Sequence, residues 1–150
     1  PPPSKRGDVF RQAALKALDT LSRNPDGFFL MIEGSNIDKA AHSNNLEEMM
    51  EELLDFDRTA GAVLDWASKH PGTLVVITAD HNTGAFALTG GSREKGEITA
   101  RFGSGSHDGV AVPVYAFGAG SGAFTGIYEN TAIFSKIMDA FKKGAGKPVR

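Results

Sequence analysis

The sequence predicts an α/β fold with a mostly parallel sheet. Two continuous apolar runs without alternation, residues 28–32 (FFLMI) and 74–77 (LVVI), indicate strands that are covered on both faces. A long segment with apolar residues at helical spacing lies between them. Strand, helix and strand at this spacing form a βαβ unit, whose crossover is expected to be right-handed.

Composition narrows the possible functions. The chain has 150 residues and is 41% hydrophobic, which is enough for a buried core in one domain or in part of a larger one. Its formal net charge of −2 gives no overall positive field to hold nucleic acid or an anionic membrane, so partners must be recognised locally. Neither apolar run could span a bilayer. Because the sequence contains no cysteine, any metal must be held by imidazole and carboxylate groups.

The N-terminal segment is predicted to contain one helix. Residues 1–7 (PPPSKRG) are expected to form an irregular lead-in, since proline removes backbone donors. A helix is expected from Asp8, as its N-cap, to a stop at Asn24 and Pro25. Its apolar positions at helical spacing are Phe10, Ala14, Leu15, Leu18 and Leu21.

The longest predicted helix follows Asn45. Asn45 and Glu48 have the spacing of a capping box, and the acidic residues beside them favour the N-terminus of a helix macrodipole. The helix is expected to end near residues 69–72 (KHPG). Its buried stripe is expected to include Met49, Met50, Leu53, Leu54, Ala60, Val63, Leu64 and Ala67.

The C-terminal part is less regular. Residues 85–88 are a candidate short strand, and the Gly-, Ser- and charge-rich residues 90–106 predict a long surface loop or a small hairpin. A further strand is expected over residues 110–117, where Pro113 favours an edge or a strand start. A last helix is expected over about residues 130–143, ended by Gly144, with a frayed tail over 144–150.

Three short segments carry the best metal ligands, and each follows or borders an apolar run, where α/β sheets present polar groups to a cleft. If the residues after Ile37 are helical, Asp38 and His42 share one face and could bind zinc, cobalt or manganese, although such a pair also occurs on ordinary helix surfaces. The other candidates are Asp80 and His81 directly after the second strand, His107 in a Gly/Ser loop, and Glu33 after the first strand. A carboxylate like that of Glu33 suits magnesium but could equally be an edge carboxylate, while His70 is interpreted as a solvated partner of a helix end.

The runs GFFLMIEGSNIDKAAH, TLVVITADHNTGAF and SGSHDGVAVPVYAFG resemble, in order, spacing and strand context, the C-terminal half of alkaline phosphatases. The resemblance covers about residues 8–143 and implies part of a three-layer α/β/α sandwich that uses two zinc ions and one magnesium ion. It implies that Asp38, His42 and His107 hold one zinc. Asp80 and His81 would contribute to the second zinc, Glu33 to the magnesium, and Lys39 to phosphate binding. A solvated surface lysine is the alternative interpretation of Lys39.

The resemblance also implies an activity: hydrolysis of phosphate monoesters through a phosphoseryl intermediate. The serine nucleophile of that family comes from an N-terminal half that precedes the matched segments, and Ser35, Ser104 and Ser106 are interpreted as loop residues. No catalytic residue is therefore assigned here. The chain is expected to be a fragment, inactive by itself, whose partner is the N-terminal half of the same fold. The family further implies a homodimer and a periplasmic or secreted location.

Two other interpretations are open. Related metal-dependent hydrolases and mutases, such as nucleotide pyrophosphatases and cofactor-independent phosphoglycerate mutases, share an Asp-His pair after a strand. Glu33, five residues before Asp38, and the loop 105–109 favour the phosphatase over these enzymes. Alternatively, because no nucleophile is found, the chain is a non-catalytic metal-binding or assembly module.

Overall fold

The computed structural model describes residues 1–144, so the predicted frayed tail after Gly144 lies outside the described residues. The helices are α1 (Pro3–Arg6), α2 (Val9–Leu21), α3 (Ser35–His42), α4 (Leu46–Ser68) and α5 (Ala132–Gly144), with a 3-10 turn at Ser121–Phe124. The strands are β1 (Leu74–Ile77), β2 (Asn82–Thr83), β3 (Ala87–Ser92), β4 (Glu97–Arg101), β5 (His107–Asp108) and β6 (Tyr115–Gly118). No helix within residues 1–144 is both long and apolar enough to cross a bilayer.

The strands form three antiparallel pairs, β1 with β6, β2 with β5 and β3 with β4. The predicted mostly parallel sheet is therefore not confirmed within residues 1–144. Strand β1 occurs where it is predicted, but its hydrogen-bonded neighbour β6 runs in the opposite direction. An apolar run indicates that a strand is buried, whereas the direction of its neighbour depends on which other segment supplies the ladder hydrogen bonds.

The predicted first strand, residues 28–32, is not a strand in the described part of the chain. Phe29 and Met31 are 62% and 75% exposed, while the alternate residues of the run are half-buried. A strand exists only when its backbone groups pair with a neighbour, and this segment has no such neighbour within residues 1–144. The predicted βαβ unit is consequently not formed there.

The prediction of an irregular lead-in over residues 1–7 is wrong for Pro3–Arg6, which form α1. Proline is compatible with a first helical turn because its missing N–H would have no partner there. Arg6, at the end of this turn, donates hydrogen bonds to Glu52 and Asp55 of α4 and so attaches α1 to the longest helix. The next helix begins after Asp8 as predicted, but the Asp8 carboxylate binds Arg11 and makes no capping hydrogen bond.

Helix α4 begins after Asn45, whose side chain accepts a hydrogen bond from the Glu48 backbone N–H, as the capping-box spacing predicts. Its predicted buried stripe is partly wrong. Met49 and Ala67 are buried, but Leu53 and Leu54 are 42% and 50% exposed. The buried residues of α4 between Met49 and Ala67 are Glu52, Asp55 and Thr59. The acidic pair lies on the inner face of α4 because Arg6 neutralises it.

Helices α3 and α4 pack together through a small core. Ala40, Ala41 and Met49 are buried in it. The partly buried residues around them are Ile37, Leu46, Phe86 and Phe102. Because Phe86 and Phe102 flank the hairpin β3–β4, this core joins α3 to the base of that hairpin. One face of α3 is thereby fixed, and its opposite face is free to carry polar side chains.

The C-terminal predictions are largely confirmed, with shifted boundaries. Of the two structures expected for residues 90–106, the hairpin is the one that forms, and the candidate strand at 85–88 begins at Ala87. Strand β6 begins at Tyr115, two residues after Pro113, so the predicted strand over 110–117 is too long at its start. The last helix begins at Ala132, two residues later than predicted.

Candidate metal centre

Helix α3 places Asp38 and His42 one turn apart on the same face. His42 Nε2 lies 3.5 Å from Asp38 Oδ2. The sequence predicts this pairing on the condition that the residues after Ile37 are helical, and they are helical up to His42. Ala40, which is two residues from each of them, lies on the opposite side of α3 and is buried in the small core, whereas Asp38 and His42 are partly exposed.

His107 reaches this pair because β5 is bonded to β2. In this two-residue ladder Thr83 is the partner of His107 and Asn82 is the partner of Asp108. His107 Nε2 lies 3.0 Å from His42 Nε2 and 3.6 Å from Asp38 Oδ1. One ligand atom from each of Asp38, His42 and His107 therefore lies within 4.8 Å of the others.

Hydrogen bonds to neighbouring groups orient His42 and favour the ionised form of Asp38. His42 Nδ1 lies 2.8 Å from the Gly105 carbonyl oxygen, which can only accept, so Nδ1 carries a proton. In neutral His42 this leaves the lone pair on Nε2. The Thr83 hydroxyl donates to Asp38 Oδ1 over 2.6 Å and lowers the pKa of Asp38 below its usual range. An ionised carboxylate and an imidazole lone pair thus converge on one point, as a cation requires.

The separations fit a zinc ion. Zinc bonds of about 2.0–2.1 Å in a tetrahedron give ligand–ligand edges of about 3.3–3.4 Å. His42 Nε2 lies 3.0 Å from His107 Nε2 and 3.5 Å from Asp38 Oδ2, and both distances are close to this value. The 3.6 Å distance joins His107 Nε2 to the other Asp38 oxygen, Oδ1. All three side chains are partly exposed, and three protein ligands leave one tetrahedral position open, as in catalytic zinc sites.

Asp80 and His81 lie beside this group. The His81 ring stacks on the His107 ring, with centroids 3.5 Å apart and an angle of 24° between the planes. His81 Nε2 lies 3.2 Å from Asp80 Oδ2, and the Asp80 side chain is largely exposed. The structure therefore brings this predicted pair next to the three-ligand group.

Glu33 and Lys39 are not part of the three-ligand group. Glu33 is exposed and lines a cleft of about 320 Å³ together with Arg6, Phe10, Asn36 and other residues of α1, α2 and the start of α3. Lys39 is exposed on α3, and its Nζ lies 3.4 Å from Asn36 Oδ1.

Sequence reasoning missed the residues that support the site. Asp108 accepts hydrogen bonds from the Asn82 side chain and from the backbone N–H groups of Ala85 and Val110, at 2.8–3.1 Å. The Val110 N–H first, and then the Asn82 amide, lower the pKa of Asp108. The only sequence signal for Asp108 and Asn82 is that each directly follows a candidate histidine, His107 or His81.

Comparisons with a family model and with curated proteins both match this chain to phosphatases. The family model described as alkaline phosphatase matches residues 7–101. Alkaline phosphatase 4 of Bacillus subtilis is 45% identical over 85 residues, which are 57% of this chain and 18% of that protein. Streptomycin-6-phosphate phosphatase of Streptomyces griseus is 35% identical over 131 residues, covering 76% of this chain and 29% of that protein. The chain thus spans less than a third of either curated relative.

Solved structures of alkaline phosphatases are also similar to this chain. The alkaline phosphatase of the Antarctic bacterium TAB5 superposes with a TM-score of 0.86 and 40% identity, covering 95% of this chain and 43% of that one. A mutant of the TAB5 enzyme, solved with magnesium bound in its M3 site, superposes with a TM-score of 0.83 and 39% identity, over 91% and 42% of the two chains.

Proposed function

Because the chain belongs to the alkaline phosphatase family, we propose that it is the C-terminal, metal-binding part of a phosphate monoester hydrolase. The observation that carries this proposal is the convergence of Asp38, His42 and His107, whose ligand atoms lie within 4.8 Å of one another. These three residues come from α3 and β5, and His42 and His107 are 65 positions apart in the sequence.

The first metal of the proposal is zinc, held by Asp38, His42 and His107. Two imidazoles and a carboxylate are a common zinc ligand set, and the separations of their ligand atoms suit a tetrahedron. When bound, such a zinc ion activates an oxygen nucleophile and stabilises charge on the reacting oxygens. The Gly105 carbonyl keeps His42 Nε2 directed at the site, and the Thr83 hydroxyl keeps Asp38 ionised.

The remaining metals of the proposal are a second zinc at Asp80 and His81 and a magnesium at Glu33. The stacking of His81 on His107 supports a second position close to the first. The carboxylate chemistry of Glu33 suits magnesium, and the TAB5 mutant provides a relative with magnesium in its M3 site. Each of these positions needs further ligands, which we propose come from a part of the protein outside these 150 residues.

The substrate of the proposal is a phosphate monoester, and Lys39 is the residue we assign to its phosphate. Its ammonium group is exposed and lies on α3 directly after Asp38. The serine nucleophile would come from the N-terminal half of the family fold. That half would also supply neighbours for residues 28–32, whose exposed Phe29 and Met31 suit a covered sheet, and so complete the three-layer, mostly parallel arrangement. A homodimer in the periplasm or outside the cell completes the proposal.

Zinc binding by single-site variants tests the metal centre. The chain is titrated with zinc in competition with a chromophoric chelator. We expect one tightly bound zinc, and we expect His42→Ala and His107→Ala to weaken it by more than the roughly 10–100-fold that loss of an outer-shell partner costs. His70→Ala is the matched control, because His70 stacks on Trp66 at the end of α4. Equal losses in all three variants would contradict the ligand assignment.

Enzyme turnover tests whether the 150-residue chain is inactive without the N-terminal half of the family fold. The purified, mass-verified chain of 150 residues should not hydrolyse p-nitrophenyl phosphate with zinc and magnesium added. A protein that also contains the N-terminal half should hydrolyse it, and His42→Ala in that protein should abolish most of the activity. Steady turnover by the 150-residue chain would show that the nucleophile lies within it.

A further inference from the structure

The hydroxyl of Thr83 lies between side chains that the proposed function assigns to two different metals. Thr83 Oγ1 is 2.6 Å from Asp38 Oδ1 and 3.2 Å from His81 Nδ1. The residue is buried, with 7% of its surface exposed, so water does not compete freely for these contacts. Thr83 is also the backbone partner of His107 in the β2–β5 ladder. A single residue therefore contacts members of both proposed ligand sets.

Counting protons fixes the direction of both hydrogen bonds. An ionised carboxylate can only accept, so the single hydroxyl proton of Thr83 points to Asp38. Toward His81 the Thr83 oxygen can then only accept, and His81 Nδ1 must carry a proton. In neutral His81 this leaves the lone pair on Nε2, the nitrogen that lies 3.2 Å from Asp80 Oδ2.

The same hydroxyl selects an oxygen of Asp38. Oδ1 is occupied by the short hydrogen bond from Thr83, whereas Oδ2 lies 3.5 Å from His42 Nε2. Oδ2 is therefore the oxygen better placed to bind a metal together with His42. Orientation of a ligand through its other polar atom is the usual role of groups around a metal site.

We propose that Thr83 is a positioning residue for both metals, because its hydroxyl fixes Asp38 for one and selects the Nε2 lone pair of His81 for the other. This inference rests on the proposed function for the identity of the two sites. The hydrogen-bond chain from His81 through Thr83 to Asp38 also makes the sites interdependent. A change in the charge of Asp38 would alter the hydrogen bond that orients His81.

Three variants of the full chain test this role. Thr83→Val removes the hydroxyl but keeps the branched shape, and Thr83→Ser keeps the hydroxyl. Thr59→Val is the matched control, since Thr59 is also buried but donates only to the Asp55 carbonyl of its own helix. Circular dichroism establishes folding of each variant, and Thr83→Ala replaces Thr83→Val if the latter does not fold.

Two measurements are made on each variant. The first is zinc affinity by chelator competition, which we expect to fall about 10–100-fold in Thr83→Val and to stay close to wild type in Thr83→Ser and Thr59→Val. The second is the tautomer of His81 in the metal-free chain, read from ¹⁵N chemical shifts of its ring at alkaline pH. We expect a proton on Nδ1 in the wild type and in Thr83→Ser, and a shift toward the Nε2–H tautomer in Thr83→Val.

The two measurements separate this inference from the proposed function. If the wild type binds no zinc, the proposed metal centre is wrong, and the tautomer of His81 alone decides the role of Thr83. If the wild type binds zinc but Thr83→Val changes neither the affinity nor the tautomer, the inference is overturned while the metal centre stands. Loss of zinc affinity in Thr83→Val with recovery in Thr83→Ser supports the inference.

Discussion

Arg6 and Glu52 form a two-point ion pair, in which Nη1 lies 3.0 Å from Oε1 and Nη2 lies 2.6 Å from Oε2. Nη2 also lies 2.6 Å from Asp55 Oδ2. Glu52 and Asp55 are only 5% and 3% exposed, and they raise the pKa of the guanidinium above its ordinary value. Asn36 of α3 donates to Glu52 as well, so the cluster connects α1, α4 and the helix of the metal centre.

Removing the cation of this cluster should strongly destabilise the chain. Arg6→Ala leaves the buried Glu52 carboxylate without a counter-charge and leaves Asp55 with only its 3.4 Å contact to the exposed Arg58. Breaking a buried pair in this way costs about 3–5 kcal/mol. We expect a loss of that size in the free energy of unfolding, measured by urea denaturation. Arg11→Ala is the control, because its partner Asp8 is exposed and surface pairs contribute little. Similar losses in both variants would show that burial of the Arg6 cluster is unimportant.

The cap of α4 should contribute measurably to stability. The Asn45 side chain accepts a hydrogen bond from the Glu48 N–H over 3.1 Å, and its amide also donates to the Glu48 carboxylate. Asn45→Ala leaves that N–H without its partner, and replacement of such a cap costs about 1 kcal/mol. Urea denaturation should detect this loss, whereas Asn45→Asp should retain most of the stability. An unchanged midpoint in Asn45→Ala would contradict the importance of this cap.

Local signals account for what could be predicted from the sequence. The start of α4 follows from Asn45 and Glu48, which are three residues apart, and β1 follows from four consecutive apolar residues. Likewise, the shared face of Asp38 and His42 follows from their spacing of four residues. For the cap of α4 and for Asp38 and His42, the two residues that carry the signal are also the two that contact each other.

Contacts between distant segments could not be predicted in this way. Leu53 and Leu54 are more hydrophobic than Glu52 and Asp55. The two acidic residues are nevertheless buried, because Arg6, 46 and 49 positions before them, forms ion pairs with both. The β2–β5 ladder, which brings His107 to the site, has only two residues in each strand. Two residues are too few to show the alternation of apolar and polar side chains that predicts a strand. The positions of the three segments beside apolar runs predicted a shared cleft, but only the family resemblance assigned His107 to the same zinc as Asp38 and His42.

Asp108 should support the β2–β5 bridge, and its contribution should depend on pH. Asp108→Asn preserves size, but one end of the new side chain cannot accept a hydrogen bond from Asn82, Ala85 or Val110. We expect lower thermal stability than wild type at pH 7. The exposed Asp139, which pairs only with Lys142 in the described residues, provides the control Asp139→Asn, which should behave like wild type.

The sign of the pH effect follows from the lowered pKa of Asp108. A carboxylate whose pKa is lower in the folded state stabilises the fold above its unfolded pKa of about 3.9, and this contribution is lost as the pH falls through the folded-state pKa. The stability difference between wild type and Asp108→Asn should therefore shrink as the pH falls from 5 to 2. A difference that stays constant over this range would show that the Asp108 charge is not responsible.

Gly84 should be required for both stability and metal binding. Its φ is +80°, and a Cβ there would lie 2.8 Å from Phe102 Cδ1 and 3.1 Å from the Ala41 carbonyl oxygen. Its backbone bonds Ser106, Gly103 and Ser104, and so holds the loop whose Gly105 carbonyl orients His42. Gly84→Ala should lower the free energy of unfolding by more than the roughly 1–2 kcal/mol that the left-handed conformation costs a residue with a Cβ. It should also weaken zinc binding.

The matched control for this prediction is Gly61→Ala. Gly61 lies within α4, where an added Cβ meets nothing within 4 Å, so alanine should stabilise the helix by about 0.5–1 kcal/mol. Unfolding by urea and zinc titration are measured on both variants. Because Gly61 is exposed and an added Cβ there contacts no other residue, its replacement should leave zinc affinity unchanged. If Gly84→Ala loses stability but binds zinc like wild type, the loop does not control His42, and the Gly105 contact is dispensable.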